Sequence, residues 1–143
     1  MSLTPLGRPL TALLLACGLV ATTVPAPSVA GRSEHGRVWR KDGTLRHGCH
    51  GYRFQYRVKP GTVHPGNDWS AEFFLTDRRG RGLGTVAKDS AIDHRRGTGR
   101  YRVCSQSTVP GRFTIRGKLS VYDDGHLVEA VWVEPARFRL RRT

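Results

Sequence analysis

The sequence predicts an all-β fold: a single Greek-key sandwich of about seven or eight antiparallel strands with one disulfide. Three observations carry this. Short runs alternate apolar and polar side chains with the period of two that a half-buried strand requires, and no segment repeats at the helical period. Gly, Pro and Asp-Gly pairs punctuate those runs at regular spacing. The part of the chain expected to be exported keeps two cysteines, Cys49 and Cys104.

The first thirty residues read as an address rather than as structure. Arg8 gives a positive n-region, Leu10 to Val24 is apolar apart from three threonines, and Pro25 and Pro27 follow. Ser28-Val29-Ala30 places small residues where signal peptidase needs them, so 1–30 is expected to be a cleaved signal peptide. A second reading takes Leu14-Leu15-Ala16-Cys17 as a lipobox, which would leave a lipoprotein anchored through Cys17. As a membrane span the apolar run is short, since about 20 residues are needed. Either way the remainder is expected to work outside the cytosol: secreted and extracellular, or lipid-tethered, with no transmembrane segment in the mature form.

Beyond a flexible 31–35, the sandwich domain is expected over 36–143. Its first strand is "GRVWR", 36–40. "GYRFQYRVK", 51–59, sets Tyr52, Phe54, Tyr56 and Val58 on one face and Arg53, Gln55, Arg57 and Lys59 on the other. A loop over 60–68 leads to "WSAEFFLTD", 69–77, with Trp69, Ala71, Phe73 and Leu75 inward and Phe74 partly exposed. A turn at 78–82 precedes a short strand, "LGTVA", at 83–87. Residues 88–99 are the least ordered by composition. "RYRVC", 100–104, faces Tyr101 and Val103 against Arg100 and Arg102. "RFTIRGKLSVY", 112–122, buries Phe113, Ile115, Leu119 and Val121. Asp-Gly at 124–125 marks a hairpin, "LVEAVWVE", 127–134, returns as a central strand, and "ARFRLRR", 136–142, alternates again after Pro135.

Two thiols in an exported chain read as one disulfide, Cys49–Cys104. They stand 55 positions apart, and closing such a loop stabilises the fold by roughly 4 kcal/mol in the chain-entropy picture. A zinc site would need four spaced ligands. "HGCH", 47–50, has no second cluster, so His47 and His50 are read as exposed neighbours of the disulfide. No metal set and no cofactor motif is expected.

The order Cys49…Trp69…Cys104 resembles an immunoglobulin-like sandwich. That resemblance implies an inter-sheet disulfide packed on a buried Trp. Arg102 stands where that family's corner tyrosine would be, with Tyr101 one place away. With its leader, Arg-rich coding and single domain, the chain resembles the small secreted immunoglobulin-like proteins of actinobacteria, a likeness that implies no defined function.

Charge is the main functional lead. The chain has 24 Lys and Arg against 11 Asp and Glu. Only Arg8 lies in the leader, so the exported domain keeps a net charge of +12 and attracts polyanions. Of the bases, 20 are Arg, the side chain that grips phosphate and sulfate in bidentate fashion. The candidate polyanion-binding residues are Arg53, Arg57 and Lys59; Arg100 and Arg102; Arg116 and Lys118; and Arg137, Arg139 and Arg141, the last three forming the densest patch. The alternative is that these arginines only solvate outer faces and guard edges. The expected role is a non-catalytic secreted or cell-surface module binding an anionic partner: a cell-wall polymer, a polysaccharide, a nucleic acid or an acidic protein surface. The rivals are a protease inhibitor or small-ligand carrier working through its loops, and a ribonuclease-like enzyme. For the enzyme, Glu72, Glu129, His64, His94 and His126 are the nominees, but no spacing joins them. Asp89 with Asp93, or Asp123 with Asp124, is first of all turn chemistry. N-terminal sequencing of the exported protein should begin at Gly31, and a lipid on Cys17 would replace that outcome under the lipoprotein reading.

Overall fold

The computed structural model describes residues 31–63 and 68–142. The leader, Cys17 and His64 lie outside the described residues. Eight strands and one 3₁₀ turn follow in order: β1 (Arg32–Trp39), β2 (Gly43–Leu45), β3 (Cys49–Val58), the turn Pro60–Thr62, β4 (Asp68–Thr76), β5 (Gly82–Asp89), β6 (Arg96–Cys104), β7 (Gly111–Asp123) and β8 (His126–Arg142). All strands join one sheet in the order β5-β4-β7-β8-β1-β3-β6, with β2 also pairing β8. The inward side chains of every strand but β5 supply one shared core, so the sheet curls over itself in a sandwich- or barrel-like form.

The alternation read from the sequence explains which face is buried. Tyr52, Phe54, Tyr56 and Val58 of β3, Trp69, Ala71, Phe73 and Leu75 of β4, Tyr101 and Val103 of β6, and Phe113, Ile115, Leu119 and Val121 of β7 are all core, with Phe73, Phe113, Ile115, Leu119 and Val121 fully enclosed. Phe74 is half-buried, as its outward position predicts.

Three differences concern strand limits. β1 begins at Arg32, inside the segment expected to be flexible, because its first residues run beside β8. β5 and β6 extend into 88–99, leaving only 90–95 as a turn. The side chains of Asp89 and Asp93 order it: Asp89 Oδ1 accepts the amides of Ala91 at 2.9 Å and Ile92 at 3.3 Å, and Asp93 Oδ1 receives Lys88 Nζ at 2.8 Å. In β6 the alternation is masked by Gly97 and Gly99, which stand opposite Tyr56 and Phe54. Those glycines make room for the rings across the strand: a Cβ on Gly99 would lie 2.2 Å from the Phe54 ring, and one on Gly97 would lie 2.8 Å from the Tyr56 oxygen.

The expected strands 127–134 and 136–142 are one strand, β8. Pro135 cannot donate to the ladder, and the register slips there, from Ile115↔Ala136 to Gly117↔Val133, so two β8 residues face Arg116 alone. The expectation of a purely antiparallel sheet is corrected. β1 and β2 both run parallel to β8, because the first and last strands of the chain lie side by side with no tight connection between them.

The disulfide is present, but its setting differs from the one the immunoglobulin-like resemblance implies. Cys49 and Cys104 are directly opposed on neighbouring strands β3 and β6, with Cα atoms 3.9 Å apart. The bridge staples two strands of one sheet near their ends rather than joining two sheets. Trp69 is buried on β4.

Substituting Gly99→Ala should lower the denaturant midpoint, by an amount corresponding to about 1–3 kcal/mol of unfolding free energy, since an added methyl forces the Phe54 ring out of place. Gly61→Ala, where nothing lies within 4 Å of an added Cβ, is the control. Equal midpoints for the two variants would contradict the ring-over-glycine packing.

Candidate polyanion-binding face

The register of β1, β3 and β6 arranges their outward side chains in rows. Arg37, Arg57 and Arg96 stand opposite one another across the three strands. The next row is Trp39, Gln55 and Thr98, and beyond it Arg53 faces Arg100, then Gly51 faces Arg102. Opposed Cβ atoms in such rows are about 4.5–5.5 Å apart. All six arginines are exposed.

No acidic residue occurs on β3 or β6. Among the described residues the ion pairs are Arg32–Glu34, His35–Glu34, Arg81–Asp77 and Lys88–Asp93, and none involves these rows. The nearest carboxylate by register is Glu134 of β8, beside Arg37. Arg37 instead lies over the Trp39 ring, 5.0 Å from its centroid.

Arg40, just past β1, is held more firmly. Its guanidinium lies over the Tyr52 ring at 5.2 Å and the Phe138 ring at 5.0 Å, and its Nη1 donates to the Arg53 carbonyl. Burial lowers its pKa from the ordinary arginine value, and the neighbouring Tyr52 opposes that shift.

The sequence-predicted basic residues therefore fall into three groups. Arg53, Arg57, Arg100 and Arg102 share the β1–β3–β6 face, with Lys59 half-buried at its end and its Nζ 3.5 Å from the Ser33 carbonyl. Arg116 and Lys118 lie on the outer face of β7, where Arg116 stacks over Trp132 at 4.2 Å and Lys118 stands opposite Glu72. Arg137, Arg139 and Arg141 project from β8. Arg139 faces Arg112 across the ladder, and Arg139 and Arg141 line an open cavity of about 620 Å³ with Arg78, Arg112 and Asp77. Sequence reasoning missed Arg37, Arg96, Arg40 and Trp39 as members of the first group. The spacing Arg96-Gly-Thr-Gly-Arg100 would have placed Arg96 on the face of Arg100, because residues four apart on a strand share a side.

Among the described residues Asp77 is the one buried carboxylate. Its Oδ1 accepts the amides of Arg79 at 2.8 Å and Arg81 at 3.0 Å, closing the β4–β5 turn, and Arg81 Nε lies 3.3 Å from Oδ2. Burial pushes its pKa up, but the two amides and the Arg81 guanidinium outweigh it and hold the carboxyl below the ordinary value.

The enzyme nominees are not assembled. His94 lies in the 90–95 turn and His126 in the β7–β8 hairpin, while Glu72 and Glu129 are exposed on β4 and β8. Among the described residues the one His–carboxylate pair is His35–Glu34, adjacent in sequence, at 3.3 Å, with His35 Nδ1 3.2 Å from Thr62 Oγ1. No protein-family model matches this chain, and no curated protein sequence matches it.

The lowered Asp77 pKa fixes a sign. Its contribution to stability is complete above the ordinary carboxylate range near pH 4 and is lost as pH falls through the lower folded-state value. Asp77→Asn should cost on the order of 1 kcal/mol at pH 7, and melts of variant and parent should converge on acidification. A gap that stays constant down to the acid limit would deny the carboxylate this role.

Proposed function

We propose that the chain is a non-catalytic binding module of the cell exterior, and that the arginine rows over β1, β3 and β6 engage an anionic polymer. The observation that carries this reading is the direct opposition of like charges, Arg37 to Arg57 to Arg96 and Arg53 to Arg100. Like charges directly opposite on a ladder destabilise it, by roughly 0.2–1 kcal/mol each on the scale of cross-strand pairs. A surface selected only for solubility would intersperse acids, and this chain has 11 to spend, none of them on β3 or β6. The repulsion disappears when phosphates or sulfates lie along the rows, and each neutralised charge on the polymer releases condensed counterions. Strand backbones hold the rows fixed, so binding needs little reorganisation beyond the side chains themselves.

This reading predicts opposite signs for stability and affinity. Arg57→Gln, in the middle of the three-arginine row, should leave the protein as stable or up to about 1 kcal/mol more stable. The same variant should elute earlier from immobilised heparin, nucleic acid or cell-wall polyanion, with a log–log salt slope shallower by about one. Weak retention of the parent on all three, gone at physiological salt, would mean the arginines only solvate the face.

A further inference from the structure

Two adjoining hollows open on this face, and their linings differ. The first, about 410 Å³, lies between β2, β3 and β6; Arg40, Arg46, Arg53, Arg100 and His50 line it, and no carboxylate does. The second, about 390 Å³, is lined by Trp39, Lys41, Asp42, Gln55 and Thr98, and shares Arg40 and Arg53 with the first. Both volumes fall within the roughly 300–1,000 Å³ typical of small-ligand sites.

We infer that the pair of hollows binds a saccharide ring bearing a sulfate or phosphate ester, the ester among the arginines and the ring against Trp39. This rests on the polyanion reading above and narrows it from charge to chemistry. Several guanidinium groups converging without a counter-carboxylate suit a tetrahedral oxyanion, which accepts paired N–H donors. Arg40 is already immobilised by two rings and the Arg53 carbonyl, so it loses little rotamer freedom on binding. Its buried Nε has no hydrogen-bond partner among the described residues.

Gly51 supplies an independent reason to see a built site. It occupies an exposed position on β3, and although its ladder partner is Arg102, the side chain of Arg100, from the diagonal position, lies over it. A Cβ there would come within 2.7 Å of Arg100 Cδ. The missing side chain lets Arg100 reach over β3 into the hollow beside β2.

The second hollow does not suit a continuous phosphodiester backbone. Asp42 lies in it, fixed by the 2.7 Å hydrogen bond its Oδ1 accepts from the Arg139 amide, and would repel a following phosphate. Asp42, Gln55 and Thr98 instead offer acceptors and donors matched to sugar hydroxyls. Trp39, half-buried with Arg37 over its ring, offers an apolar surface for the C–H groups of a sugar.

The test titrates the folded domain at physiological salt with a heparin-derived octasaccharide, with glucose 6-phosphate, and with a single-stranded oligonucleotide charge-matched to the octasaccharide. Gly51→Ala leaves the net charge unchanged and displaces only Arg100, and should weaken octasaccharide or sugar-phosphate binding about fivefold. Trp39→Ala should weaken it about tenfold without altering the salt slope, because stacking releases no counterions. Oligonucleotide binding should stay within about twofold in both variants, since row charge alone governs it. Whichever ester responds identifies the anion. Should both variants bind both sugars like the parent while Arg57→Gln still weakens octasaccharide binding, the hollows are not the site and the polyanion reading stands alone. An oligonucleotide bound tighter than the octasaccharide, and equally sensitive to both variants, would replace the saccharide with a nucleic acid. Melting curves of each variant establish that it is folded, and Gly51→Ala, with its extended backbone, carries the test should Trp39→Ala unfold.

Discussion

Phe73 is where this fold closes. It lies on β4, toward one end of the sheet, yet its ring meets Phe54 at 5.3 Å and Tyr56 at 5.0 Å from β3, toward the other end. Its carbonyl accepts a 2.8 Å hydrogen bond from Tyr101 of β6, and Tyr101 in turn stacks on Phe54. β4 exchanges no ladder hydrogen bonds with β3 or β6. An eight-stranded sheet that curls without lateral pairing at its ends depends on side chains to hold the curl, and this aromatic group performs that task. Burial raises the pKa of Tyr101, which keeps its hydroxyl a donor at any physiological pH.

That closure decides where the arginines can be. With Phe54 and Tyr56 of β3 packed on Phe73 and Tyr101 of β6 stacked on Phe54, the alternate positions of those strands must face water, and they include Arg53, Arg57, Arg96, Arg100 and Arg102. The glycines serve the same arrangement from within. Gly97 and Gly99 give up their side chains so that Tyr56 and Phe54 can lie across β6, and Gly117 does so for Phe73 itself. Inner packing and outer charge are thus two faces of one alternation.

This alternation is what made much of the fold legible. A period of two states which side chains are buried, and the predicted inward sets of β3, β4, β6 and β7 are the core. The same period says nothing of which strand lies beside which, or in what direction. The parallel placement of β1 and β2 against β8, and the in-sheet rather than inter-sheet position of the disulfide, are decided by contacts distant in the sequence. β2 is three residues long, too short to show a period. Gly97 and Gly99 hid half of β6 because the signal of an inward position is a large apolar side chain, and here that side chain belongs to the opposite strand. The candidate site was legible to the same extent. Rows on a single strand could be read directly, whereas the union of Arg37, Arg57 and Arg96 needed the register of three strands.

The parallel pairing of β1 with β8, in the middle of the sheet, has a mechanical consequence. β1 enters beside Val133 and β8 ends at Arg142, nine residues further along the same direction, about 30 Å away. A pull on residue 32 opposed by a pull on residue 142 would act along the strands. The β1–β8 bonds and the β2–β8 bonds would then be strained together, in shear, instead of opening one after another as in a zipper. Against such a load the two parallel pairings act together rather than in turn.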